Sequence, residues 1–342
     1  MTQAPPPPAP TTDDAPGPDR AALLEQALFE VKKVIVGQDQ AIERLLTCLL
    51  ARGHVLLEGV PGVAKTLASE TLAKVVGGSF VRIQFTPDLL PADIVGTRIY
   101  RGSSETFDVE LGPIFANFVL TDEVNRAPAK VQSALLEVMA EGHVSIGGQT
   151  FPVPDPFLVL ATQNPIESEG VYLLPEAQRD RFLMNVPIGY PSPSEETEIV
   201  HRMGVSPPSA TQILSPEQVL DLQGAADQVY VDPGVVDYAV NVVFATREPG
   251  DHGLSDLNGM IAYGASPRAS LGLVAAGRAL ALLRGRDYAL PQDVFDVAPD
   301  VLRHRLVLSY EALADGIDVN DVLVRILSTV PAAAVAPRSR PT

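Results

Sequence analysis

The segment EGVPGVAKT, Glu58 to Thr66, nearly matches the phosphate-binding pattern G-x-x-x-x-G-K-[ST]. Its first glycine is Gly59, the sixth position holds Ala64 instead of glycine, and Lys65 and Thr66 follow. In such a loop successive backbone N–H groups and the amino end of the next helix face phosphate oxygens. The lysine ammonium reaches the β- and γ-phosphates and the hydroxyl binds magnesium. Gly59, Val60, Pro61, Gly62, Val63, Ala64, Lys65, Thr66 and Leu67 are therefore candidate nucleotide contacts, with Thr66 a metal ligand. Gly59 and Gly62 stand at the bend, where positive φ or close approach is needed. Ala64 is expected to have negative φ, because the chain is already entering a helix there.

Further polar residues end apolar runs. FVLTDEV places Asp122 and Glu123 together at the end of a buried strand, where adjacent carboxylates repel and lose solvation. Beside the phosphate loop, Asp122 would hold the magnesium shell and Glu123 would polarise an attacking water. FLVLATQNP ends in Asn164, an amide able to orient the same water, or simply a strand-to-turn residue before Pro165. LPEAQRDRF carries Arg179 and Arg181 on a short helix, where exposed arginines are usually just solvated. In GASPRASLGL, Ser266 is the N-cap and Arg268 falls in the first turn. A cation there opposes the helix dipole by about 0.3–1 kcal/mol unless an anion compensates, as bound phosphate would.

The elements that must position these groups are short apolar runs alternating with helical patterns from Ala21 to Ile188. Strands are predicted at 54–59, 80–85, 118–123, 157–162 and 184–188, rich in Val, Ile, Leu and Phe as strands buried on both faces are. Helices such as that after Ala127 supply the crossovers of a parallel sheet. HVSIGGQTFPV, 143–153, reads as a β-hairpin about Gly147-Gly148. After YPSPSEE the strands stop and helix signals take over, including Ser215 and Gln218 as a capping box. The expected fold is α/β: a nucleotide-binding domain over 20–190 with a five-stranded parallel sheet, then a small all-helical domain over 191–330. Residues 1–19 form a disordered Pro-rich tail and 331–342 a flexible one. There is no internal repeat.

Composition narrows the function. Of 342 residues, 42 are acidic and 25 basic, for a formal net charge of −17. Nucleic acid is bound mainly by neutralising phosphates with Lys and Arg, so this chain is a poor general nucleic-acid binder. An anionic membrane surface is disfavoured for the same reason. No apolar run is long enough to span a bilayer. The amino terminus carries Pro and Asp where a secretory signal carries basic and then apolar residues. A cytoplasmic protein without membrane insertion is expected. The single cysteine, Cys48, permits no intrachain disulfide, and the five histidines lack zinc spacing.

With these pieces in order, the chain resembles AAA+ ATPases, and among them the MoxR family, from Val31 to about Leu327. The motifs are VGQDQ at 36–40, LLEGVPGVAKT at 56–66, QFTPDLLPADIVGT at 84–97, DEVNRAPAKVQSALLEVM at 122–139, VSIGG at 144–148, ATQNPIESEGVYLLPEAQRDRF at 161–182 and SPRA at 266–269. MoxR proteins commonly carry alanine before the loop lysine. The resemblance implies that Lys65 and Thr66 are Walker A residues, Asp122 and Glu123 Walker B, Asn164 sensor one and Arg268 sensor two. It implies that Arg181 is an arginine finger acting in trans, with Arg179 as the alternative. Val36, Gly37 and Gln38 would lie against adenine. Segment 86–117 would be an inserted element and 143–153 the presensor hairpin, both near the pore or client face. Arg126 would serve the subunit interface or a structural salt bridge.

The implied function is hydrolysis of ATP with Mg2+ by a homo-oligomeric, hexameric ring that remodels or matures client proteins, with a von Willebrand factor A domain protein as partner. The rivals are a nucleic-acid-translocating AAA+ motor, a P-loop kinase or GTPase, and a scaffold that binds nucleotide without hydrolysis. The chain lacks an N/T-K-x-D guanine signature, and the Asp122-Glu123 pair suits water attack.

Overall fold

Five apolar runs form one parallel sheet in a computed structural model, which describes residues 18–332 apart from 103–104, 165–171, 173 and 205. The strands are β1 (Val55–Glu58), β2 (Phe80–Gln84), β5 (Phe118–Asp122), β8 (Leu158–Gln163) and β9 (Met184–Pro187), in spatial order β2-β5-β8-β1-β9. Each lies within its predicted run except β8, which extends one residue further, to Gln163. β5 and β8 are buried along nearly their whole length, whereas β2 at the edge exposes Arg82. Parallel register pairs Gln84 with Asp122 and Glu58 with Gln163, so these polar strand ends share the carboxyl edge of the sheet. Helices α1 (Pro18–Val34), α2 (Asp39–Leu50), α3 (Lys65–Val76) and α5 (Ala129–Glu141) pack around it.

Between β2 and β5 lie the short helix α4 (Pro91–Val95) and a hairpin, β3 (Gly96–Arg101) with β4 (Thr106–Leu111), that sequence reading left as an insertion without assigned structure. The expected hairpin at 143–153 is present as β6 (His143–Ile146) and β7 (Gln149–Pro152). The one-turn helix α6 (Glu176–Arg179) precedes β9.

Beyond β9 come α7 (Pro193–Met203), α8 (Pro216–Gln228), α9 (Pro233–Arg247), α10 (Pro267–Leu283), α11 (Pro291–Leu302), α12 (Tyr310–Ala314) and α13 (Val319–Thr329). Ser192, Ser215 and Ser266 cap α7, α8 and α10, each hydroxyl accepting a first-turn backbone N–H. Strands do not stop altogether. Two small pairings, 230–231 with 288–289 and 261–263 with 307–308, tie the helices together and are too short to leave an alternating pattern. Residues 1–17 and 333–342, most of the two expected tails, lie outside the described residues. Pro18 and Asp19, read as tail, already belong to α1, where proline's fixed φ suits a first helical turn.

The hydrophobic core does not divide near residue 190. One buried cluster holds Val55, Leu57, Leu158 and Met184 of the sheet together with Val219, Leu273, Val297 and Val301 of the helical part. A buried ion pair, Arg44 Nε to Asp300 Oδ2 at 2.6 Å, joins α2 to α11 within the same seam.

His54, just before β1, is buried and neutral. Its Nδ1 accepts from the Val159 N–H at 3.1 Å, and its Nε2 lies 3.1 Å from the Met139 carbonyl, to which it donates. Burial pushes its pKa down to about 4, and burial likewise holds His304 well below the ordinary range. For a depressed histidine the unfolded chain binds more protons, so stability is full above about pH 6.5 and is lost as pH falls toward 4. We expect urea denaturation to show a loss of roughly 2–3 kcal/mol from His54 alone between pH 8 and pH 4.5. His54→Gln should flatten that slope while lowering stability at pH 8.

Candidate nucleotide site

The phosphate loop joins β1 to α3, and its glycines serve two different needs. A Cβ on Gly59 would stand 2.3 Å from the Ile188 carbonyl oxygen, so this residue is small because β9 approaches it. Gly62 has φ +85°, with open space where a Cβ would point. Ala64 corrects the sequence expectation: it has φ 62° and ψ 22°, in the left-handed region. Ala64 is the N-cap of α3 and completes the loop's turn; only its carbonyl, accepting from the Ala68 N–H at 2.9 Å, belongs to the helix. A glycine in the general pattern meets that conformation without a Cβ clash, whereas alanine bears about 1–2 kcal/mol of strain.

Lys65 is the first residue of α3, and its Nζ donates to the Gly59 carbonyl at 2.6 Å, folding across the loop. Burial lowers its pKa, opposed by the carboxylates of Asp122, Glu123 and Glu58. The ammonium therefore sits in the field of the two adjacent acids and of Glu58.

Asp122 ends β5, and Glu123 follows with φ 56°. The Thr162 hydroxyl of β8 bridges them, donating to Asp122 Oδ1 at 2.5 Å and accepting from the Glu123 N–H at 2.9 Å. Arg82 Nη2 donates to Asp122 Oδ2 at 2.5 Å. Gln84 Nε2 donates to Glu123 Oε2 at 2.8 Å, and Arg126 Nε lies 3.1 Å from the same oxygen. Asn164 is buried just beyond β8, on the same edge of the sheet.

A cavity of about 240 Å³ opens between Gly37–Ala41 and Val186–Tyr190, with Asp300 of α11 in its wall. Gln38 Nε2 donates across it to the Gly189 carbonyl at 3.1 Å. Gly37 and Gln38 thus line a cleft, although Val36 does not. It adjoins the phosphate loop through Ile188, whose N–H donates to the Glu58 carbonyl at 2.7 Å.

The arginines gather elsewhere. Met184 pairs with Val55, so the turn before β9 lies at the amino edge of the sheet, opposite the phosphate loop. Arg181 Nη1 donates to the Leu136 carbonyl at 2.6 Å, while the Nε of Arg179 is buried without a hydrogen-bond partner among the described residues. Arg268 Nη1 stands 3.8 Å from Asp180 Oδ2, between these two residues in sequence. The first-turn cation of α10 therefore has a carboxylate beside it, and the dipole argument alone no longer calls for a phosphate there. Residues 165–171 and 173 of the motif at 161–182 lie outside the described residues.

Comparison with known proteins accords with this geometry. Residues 54–184 match the ATPase family associated with various cellular activities (AAA), and 256–326 match the AAA lid domain. The chain is 68% identical over 307 residues to Chaperone MoxR1 of Mycobacterium tuberculosis, covering 90% of this chain and 81% of that one. This chain belongs to the MoxR family of AAA+ ATPases. The uncharacterized protein YeaC of Bacillus subtilis is 43% identical over 314 residues, covering 91% of this chain and 95% of that one. A crystal structure from Cytophaga hutchinsonii, 46% identical, superimposes with a TM-score of 0.87 over 92% of this chain and 96% of that one. The fold of this MoxR protein is accordingly an AAA+ α/β core with a helical lid.

Several residues of the MoxR site escaped sequence reading. Arg82, Gln84 and Thr162 are first partners of the two acids, and Asp180 is the partner of Arg268. Arg82 and Gln84 alternate in FVRIQ, and a threonine two residues before Asn164 was an available signal.

Two variants check this local account. Ala64→Gly should raise unfolding free energy by up to about 1 kcal/mol in chemical denaturation, strain relief outweighing added chain entropy, and Ala64→Val should lower it. Thr162→Val keeps the shape but strands the Glu123 N–H, and should cost about 1–3 kcal/mol in the same measurement.

Proposed function

We propose that this MoxR protein hydrolyses ATP as a homo-oligomeric, hexameric ring and uses the turnover to remodel or mature client proteins in a chaperone-like way. The observation that carries the reading is the convergence of Lys65 with Asp122 and Glu123 at the mouth of a phosphate loop. The fit to a nucleotide is supported by the open space at Gly62 and by the cleft at Gly37–Ala41. Backbone N–H groups of residues 60 and 62–66 bind phosphate oxygens, and Val36, Gly37 and Gln38 lie toward adenine. Thr66 and Asp122 would hold Mg2+, which when bound neutralises phosphate charge. Among the described residues no group of three or more His, Cys, Asp or Glu could hold a metal by itself, and the nucleotide's phosphate oxygens would supply the further ligands.

Glu123 orients and takes a proton from the attacking water, Asn164 helps to hold that water, and Lys65 stabilises charge growing on the γ-phosphate. Arg181 or Arg179, and Arg268, lie across the sheet from their own loop, and we assign them to the triphosphate of a neighbouring subunit. Hydrolysis then depends on assembly. Chaperone MoxR1, by its name, supports the client-remodelling reading, and a von Willebrand factor A domain protein is the proposed partner. The described residues contain no helix long and apolar enough to cross a membrane, and we place the work in the cytoplasm. The net charge of −17 weighs against a nucleic-acid motor.

Phosphate release is the direct measurement. Glu123→Gln should bind ATP within a few-fold of wild type while turnover falls about 10²–10⁴-fold. Turnover at the wild-type rate would remove Glu123 from its role. The ATP-locked variant should also retain a client in a pull-down, and recovery of the chain alone would count against remodelling.

A further inference from the structure

Asp180 uses its two carboxylate oxygens for different tasks. Oδ1 accepts from Arg305 Nε at 2.7 Å. The Arg305 side chain is almost wholly buried and also donates to the carbonyls of Phe182 at 2.7 Å, Leu183 at 3.0 Å and Asp180 itself at 3.3 Å. His304 Nε2 lies 3.0 Å from the same Phe182 carbonyl. The turn 180–183 belongs to neither helix nor strand, so the lid supplies the hydrogen-bond donors its backbone would otherwise lack. Oδ2 faces the other way, accepting from the Ser266 hydroxyl at 2.9 Å with Arg268 Nη1 at 3.8 Å. Ser266 also accepts the Arg268 backbone N–H at 3.2 Å as the cap of α10. One carboxylate thus joins the turn carrying Arg179 and Arg181 to the helix start carrying Arg268.

A purely structural ion pair needs only Arg305 and Oδ1. The second oxygen instead faces the exposed Arg268 on the lid, and Asp180 itself stands between Arg179 and Arg181 in the chain. Charge is left over as well, since Arg305 already pairs with Oδ1 while Arg268 stands by Oδ2, and the adjacent Arg179 keeps a buried Nε with no hydrogen-bond partner among the described residues. We propose that Asp180 is a positioning residue for the neighbouring subunit's reaction, holding Arg179, Arg181 and Arg268 as one rigid block presented to that subunit's triphosphate. This rests on the ring-ATPase reading above. Arg305 anchors the block and Ser266 sets the azimuth of Arg268.

Mixed rings test it. Asp180→Asn should keep ATP affinity near wild type while kcat falls at least about tenfold, the scale expected when catalytic groups shift by a fraction of an ångström. Ser266→Ala, which loses one hydrogen bond, should lower kcat less and leave KM unchanged. Asp180→Asn mixed with Glu123→Gln should recover roughly a quarter of wild-type turnover at one-to-one mixing, the share of heterologous interfaces that join the two intact halves. Absence of recovery, while an Arg181→Ala mixture does recover, would overturn the positioning role alone. A wild-type chain whose turnover does not depend on concentration would instead overturn the ring reading. If Asp180→Asn fails to fold, Ser266→Ala in the same mixture decides the matter by the same outcomes.

Discussion

Two adjacent carboxylates at the end of a buried strand repel each other, and the carboxyl edge of this sheet is organised around keeping them there. Thr162, itself buried on the neighbouring strand, spans the pair with one hydroxyl, donating to Asp122 and accepting from the Glu123 backbone. Arg82 and Arg126 take one acid each, and Lys65 faces both. Removing any one cation leaves the acids with less compensation in a partly desolvated place, where charge interactions weigh more than in water. The β2-β5-β8-β1 order is what brings these groups together, since Arg82 comes from β2, Thr162 from β8 and Lys65 from the start of α3 after β1.

Backbone strain is concentrated at the same edge. Among the described residues, four non-glycine positions have positive φ, and two of them are Ala64 and Glu123. Such conformations persist only where the surroundings over-determine them. At Glu123 the surroundings are evident: the N–H is held by Thr162 and the side chain by Gln84 and Arg126. At Ala64 they are the helix it caps and the loop that Lys65 closes upon Gly59. The loop therefore tolerates the missing glycine by accepting strain, a different reason from the helical entry that the sequence suggests.

The strands and lid helices were legible in the sequence because burial on both strand faces and serine caps each leave a local signature. β5 and β8 read as continuous apolar runs, and Ser215 with Gln218 marks α8 within one turn. The β3–β4 hairpin was less legible because only one face of it is partly covered, although Phe107-Asp108-Val109-Glu110-Leu111 does alternate. At the site, the residues that could react were visible as types at strand ends, but their partners were not. Arg82 and Asp122 are 40 residues apart, as are Thr162 and Asp122, while Asp180 and Arg305 are 125 apart. Pairings at such separations depend on sheet order and on how the lid docks, which no local pattern encodes.

The docking of the lid also constrains how nucleotide state can be transmitted. A lid swinging freely within one subunit would have to uncover Leu273, Val297 and Val301, which are fully buried in the cluster shared with Val55 and Met184. Exposing apolar surface costs about 25 cal/mol per Å², so opening this seam by several side chains would cost many kcal/mol. It would also part Arg44 from Asp300, leaving buried charges unpaired, which is among the more destabilising changes a protein can undergo. At Gly272 an added Cβ would come within 3.2 Å of Leu183, so α10 rests directly on the turn leading into β9. Core and lid therefore move as a unit far more cheaply than they separate.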